Sequence, residues 1–215
     1  MNIITKFKDI LIETLKENKK IILIFYIILI ATAILTMILT KNSMAEKIQL
    51  MSSINPVGTH NMSGDNALSL FIHNELGAIE TYITSVFFGI SAIITLIYNG
   101  FTTGTYGNLF GMMIPNGFAR YIIYLIPHGI FEYTATVIES VAGIILFKFV
   151  WNFLKNIIKS DEKGFKNKVL KSYNEHKHIL IQSICLMMFT TILLLIAAPI
   201  EAYISIPFSE MIIGN

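Results

Sequence analysis

A chain of 215 residues that is 54% hydrophobic, only 14% charged and of mean hydropathy +0.65 is too apolar for a soluble domain; such domains carry about 25% charged residues. The net charge of +2 excludes little, but 15 of the 16 basic residues are lysines and most fall in two blocks, Lys6 to Lys20 and Lys148 to Lys177. Isolated positive charges in a chain of repeated apolar segments set topology, so nucleic-acid binding is set aside. The one cysteine, Cys185, excludes an intrachain disulfide.

Residues 1–20 place Ile3, Ile4, Phe7, Ile10, Leu11 and Leu15 at helical spacing between lysines, which predicts an amphipathic helix on the cytoplasmic leaflet. Residues 21–40 form an uncharged run long enough to span, and too long for the apolar core of a secretory signal. Residues 41–77 follow as the one sizeable outer loop, turn-rich at "NPVG" and "NMSGDN" and then helical in "ALSLFIHNELGAIETY". Asn61-Met62-Ser63 matches the short glycosylation sequon, and His60 and His73 are isolated.

Three further strong spans are predicted over 81–98, 121–147 and 179–200. The Gly- and Thr-rich stretch 100–118 is ambiguous by hydropathy. Both lysine blocks belong inside, and two segments on one side need an even number of crossings between them. Residues 100–118 are therefore expected to cross as well, rather than 121–147 turning back at Pro127. The result is an all-α polytopic bundle of about five transmembrane helices, N-terminus inside and C-terminus outside, with a Lys-rich cytoplasmic loop at 148–178. In that loop the lysines are expected chiefly to fix orientation, with binding of anionic lipid or a cytoplasmic partner as the second reading. His176 and His178, two apart, do not share a helix face. Gly100-x3-Gly104 and Gly107-x3-Gly111 put small residues on one face, for which tight helix packing is preferred over a selectivity filter.

The polar residues of "LIPHGIFEYTATVIES" pose the functional question. His128 and Glu132 are four apart and share a helix face, and Glu139 recurs seven residues on. Pro127 fits a first helical position, so the main helix is expected to start near His128. Counting from Lys148 at 1.5 Å per residue puts Glu139 roughly 13 Å and Glu132 roughly 24 Å from the inner surface. Glu201, just past the fourth strong span, falls at the depth of Glu132. Intramembrane acids and histidines face a bundle interior or a water-filled cavity. Three readings follow, in descending order: a hydrogen-bonded structural cluster, a proton or cation pathway, and a metal-dependent hydrolase. A single histidine with scattered glutamates falls short of a three-ligand metal site, so no metal and no cofactor is expected.

These residues also carry a resemblance. "LIPHGIFEYTATVIESVAGIILF", with Pro127, His128, Gly129 and Glu132, resembles the Pro-His-Gly-x-x-Glu stretch of the stage II sporulation protein M family. "FFGISAIITLIYNGFTTGTYGN" is similar to that family's Gly-rich passage, with Asn99, Gly100 and Gly104 at its positions. "AAPIEAYIS" resembles the Ile-Glu-Ala segment through Glu201, and "FIHNELGA" resembles a short motif at Asn74. Where the family has Glu-Leu, this chain has Glu132-Tyr133. The resemblance implies an integral membrane protein without demonstrated enzymatic activity. Its namesake anchors and localises cell-wall hydrolases in spore-forming bacteria. The expected function is a multi-pass scaffold or assembly protein of the cell membrane, not an enzyme. A channel or transporter subunit is the alternative, and an intramembrane hydrolase comes last. The expected partners are the bilayer and membrane or envelope proteins, with a second copy of the chain as a further candidate.

Overall fold

The computed structural model describes residues 2–54 and 66–214, and among them every regular element is helical. The sequon and His60 lie outside the described residues. Seven α-helices follow in chain order: α1 (Ile3–Glu17), α2 (Lys19–Ile54), α3 (Ala67–Thr84), α4 (Ile90–Met113), α5 (Gly117–Lys159), α6 (Phe165–Ile200) and α7 (Ile206–Ile213). A π-helical turn, Glu201–Ser205, joins the last two. Three helical stretches are long and apolar enough to cross a membrane: Lys19–Met44, Gly117–Lys159 and Phe165–Ile213. The chain is a membrane protein. Leu23, Ile24, Ile27, Ile34, Ile38 and Leu39 of α2 are all more than half exposed, and such a stripe needs an apolar solvent.

The amphipathic N-terminal helix is α1, but it does not lie free. Leu11 and Leu15 pack on the main core, and Gln182 Nε2 of α6 donates to Glu17 Oε2 at 2.9 Å. Asn18 ends the helix, its side chain donating back to the Thr14 carbonyl.

The middle of the chain is cut differently from the sequence expectation. Helix α3 stops at Thr84, inside the segment expected over 81–98, and α4 merges the rest of it with most of 100–118. The break is at "SVFFG". Phe88 and Gly89 both have left-handed backbone (φ 60° and 65°), and the Ser85 hydroxyl bonds back to the Thr81 carbonyl at 2.6 Å. Phe87 and Phe88 are exposed at this turn. A turn whose side chains face lipid needs no polar residues, which is why composition hid it. Helix α4 ends at Met113, before Pro115 and a left-handed Asn116 (φ 54°) that the expected span ran straight through.

Helix α5 begins at Gly117, not near His128, and Pro127 lies inside it. The Ile123 carbonyl thereby loses its usual intrahelical donor, which neighbouring helices make tolerable in a membrane bundle. The Lys-rich segment is a helical hairpin rather than a loop. Helices α5 and α6 continue through it and meet at residues 160–164. Ser172 donates to the Phe153 carbonyl at 2.8 Å, Asn156 bonds Glu175, and Lys171 pairs with Glu162 at 3.2 Å.

The core sits where α5 and α6 pack together, with α2, α3 and α4 around them. Val137, Ile138, Val141, Ala142, Leu96 and Leu186 are buried in its main cluster. Small residues let backbones approach. The Ser183 hydroxyl donates to the Ala142 carbonyl at 2.8 Å, and Ser85 lies where a Cβ on Gly143 would be. Helix α4 lies parallel to α2. A Cβ on Gly100 would meet Leu29 O at 2.6 Å, and one on Gly104 would collide with Ala33 O.

A buried His/Glu cluster

His128 and Glu132 project from successive turns of α5, and the π turn brings Glu201 and Ser205 against them. His128 Nε2 lies 3.9 Å from Glu132 Oε2, and His128 Nδ1 lies 2.8 Å from Ser205 Oγ. Tyr124, one turn before His128, donates its hydroxyl to Glu201 Oε1 at 3.1 Å, and its ring stands edge-on to the imidazole. His128 is only 2% exposed. One ligand atom from each of His128, Glu132 and Glu201 lies within 4.8 Å of the other two. Three groups that read as scattered in sequence thus converge, as a metal site would need.

The π turn has a local cause. Pro199 and Pro207 remove two N–H donors around it, and Ser205 Oγ donates to Ile200 O, five residues back, at 3.2 Å. Single π turns of this kind recur at functional sites. The last helix therefore does not stop at Ile200. It continues as α7, where Ser209 Oγ donates to Arg120 O at 3.2 Å and Arg120 donates to Gly214 O at 2.5 Å.

The cluster opens on a cavity of about 580 Å³ between α4, α5 and the π turn, with Thr103, Tyr106, Tyr121, Tyr133 and Arg120 on its wall. Hydroxyls organise that wall: Thr103 and Tyr133 are 2.7 Å apart, and Tyr121 donates to the Thr103 carbonyl at 3.1 Å. Glu139 is buried at 5% exposure but lies deeper, on a second cavity of about 410 Å³ with Asn74, Thr81 and Thr136. Asn99 and Glu132 line both cavities. Asn99 is held by its own helix, its side chain donating to the Thr95 carbonyl at 3.0 Å.

The glycines divide by role. Gly100 and Gly104 face α2, and Gly107 is buried near Met37 and Tyr121. Gly111 is exposed and faces Phe118 across the turn, and Gly129 is buried beside Leu125 and Tyr133. Sequence reasoning passed over four polar residues. Ser205 and Tyr124 each stand one turn from a glutamate or histidine singled out, and that spacing is the signal that would have found them. Asn108 continues the four-residue rhythm of Gly100 and Gly104. Glu75 accepts a hydrogen bond from Thr191 at 2.7 Å, a contact that no local pattern announces.

Comparison with known proteins agrees with the motifs that form this site. No solved structure matches the chain. An uncharacterised protein of Methanocaldococcus jannaschii is 35% identical over 123 residues, which is 56% of this chain and 60% of that protein. The family model described as Stage II sporulation protein M matches residues 21–206, from the start of the first apolar helix to just beyond Ser205. The chain therefore belongs to the stage II sporulation protein M family.

Proposed function

We propose that the protein is a five-span scaffold of the cell membrane, N-terminus inside and C-terminus outside, that holds a partner protein through its cytoplasmic hairpin. The observation that carries this is the hairpin tip. Ile158 is 81% and Phe165 is 76% exposed, among eight lysines and three acids between Lys148 and Lys177. Helices α2, α3, α4 and α5 supply the four crossings that would return the chain to the lysine side. With Lys148 at the interface, Ile158 stands about 15 Å beyond it at 1.5 Å per residue. That is too far for either tip side chain to reach hydrocarbon, so the apolar tip calls for a protein with an apolar, acidic surface. In this reading the protein is an assembly subunit and not an enzyme.

Photo-crosslinking from position 158 in native membranes tests the reading. A discrete protein adduct, lost in Phe165→Asp with the melting temperature unchanged, is the expected result. Adducts to lipid alone would overturn it.

A second reading, ion passage, has its own observation: Asn99 and Glu132 line both cavities. In that case Glu132→Gln abolishes pH-dependent flux in liposomes without loss of stability.

A further inference from the structure

We propose that His128, Glu132 and Glu201 bind a divalent transition-metal ion of the zinc or manganese class. The inference is independent of the scaffold reading, since it concerns the opposite end of the bundle from the lysine hairpin. Three observations carry it. The first is convergence: an imidazole nitrogen and two carboxylate oxygens from α5 and the π turn lie within 4.8 Å of one another.

The second is the direction of the histidine. The Ser205 hydroxyl has one proton, and it donates to the Ile200 carbonyl, which can only accept. With its proton so placed, the Ser205 oxygen is free to accept Nδ1–H of His128, which lies 2.8 Å away. A neutral imidazole protonated at Nδ1 has its lone pair on Nε2, and Nε2 is the atom facing Glu132. Metal-bound histidines are held in this way, the second nitrogen donating to an oxygen that fixes tautomer and ring plane. Nε2 and Glu132 Oε2 stand 3.9 Å apart, where a hydrogen bond between them would be shorter.

The third is room and ligand type. Ligand atoms around a tetrahedral zinc are about 3.3 Å apart, given bond lengths of about 2.0–2.1 Å. The 3.9 Å pair needs only a small side-chain movement. Three protein ligands leave a fourth position, which opens on the cavity lined by Thr103 and Tyr133. One nitrogen with two carboxylates suits zinc or manganese better than copper(I), which prefers sulfur, or calcium, which takes six to eight oxygens. A 2+ ion would also balance two carboxylates in a low-dielectric interior, where an uncompensated charge is expensive.

Full-length protein in detergent, stripped with EDTA and reloaded with Zn²⁺ or Mn²⁺, tests the site by metal analysis after desalting and by thermal unfolding. The wild type is expected to keep about one ion per chain and to melt higher when loaded, with EDTA reversing the shift. His128→Asn and Glu201→Gln should lose both effects, and Glu139→Gln should keep both. Should the cluster variants fail to fold, Co²⁺ loading of the wild type provides a separate readout, a visible absorption band abolished by competing Zn²⁺. Equal retention by the wild type and Glu201→Gln would mark the metal as adventitious and overturn the proposal. So would a wild type that retains no ion and shows no cobalt band.

Discussion

Asn108 Nδ2 donates to the backbone carbonyl of Met37 at 2.8 Å, and to Thr40 Oγ1 at 3.0 Å. One turn earlier Gly104 lies on the Ala33 carbonyl, and one turn before that Gly100 lies on Leu29. Two parallel helices are therefore locked in register by a four-residue repeat, twice through the absence of a side chain and once through an amide. Backbone contact replaces the hydrophobic driving force that lipid cannot supply between helices.

Gly104→Leu should accordingly cost more than about 3 kcal/mol, because the leucine must displace α2 backbone rather than a flexible side chain. Gly111→Leu, at an exposed position against Phe118, should be far milder. Asn108→Ala removes one interhelical amide and should cost about 0.6–1.7 kcal/mol. Thermal unfolding in detergent compares the three. Equal melting temperatures for Gly104→Leu and the wild type would mean that α2 and α4 do not touch there.

Gly77 makes the opposite case. It lies inside α3, and a Cβ there would meet nothing within 4 Å. Gly77→Ala should raise stability by about 0.4–1 kcal/mol, by narrowing the unfolded chain's freedom without any native clash. A lowered melting temperature would show that another group approaches that face.

Glu132 and Glu201 are expected to be energetically coupled. Each single Gln substitution removes one of two facing carboxyls, and Glu201→Gln keeps an oxygen for the Tyr124 hydroxyl. The double variant should depart from the sum of the singles by at least about 0.5 kcal/mol. A strictly additive result would show that the two carboxyls do not meet.

Topology is read by impermeant thiol labelling in a Cys185→Ser background. A cysteine at Met211, which is 75% exposed near the end of α7, should label from outside. A cysteine at Gly164, in the hairpin connection, should not. Labelling of both from one side would mean that the chain does not cross between the hairpin and α7.

Periodicity and charge by themselves determined that the protein is helical and apolar-embedded, with α2, α5 and α6 as its long spans. They also determined that His128 and Glu132 share a face, because helical spacing is a local property of the chain. Only tertiary structure decided the rest. The lipid-facing turn at Phe87 and Phe88 carries no polar signal, so the boundary between α3 and α4 was invisible to composition. The lysine block read as a loop because its charges mask helices that two extended neighbours hold together. Ser205 reaches His128 from 77 residues away, through a π turn that depends on two prolines and one hydroxyl. No pattern within either segment encodes that meeting, since it is the packing of α5 against the last helix that brings it about.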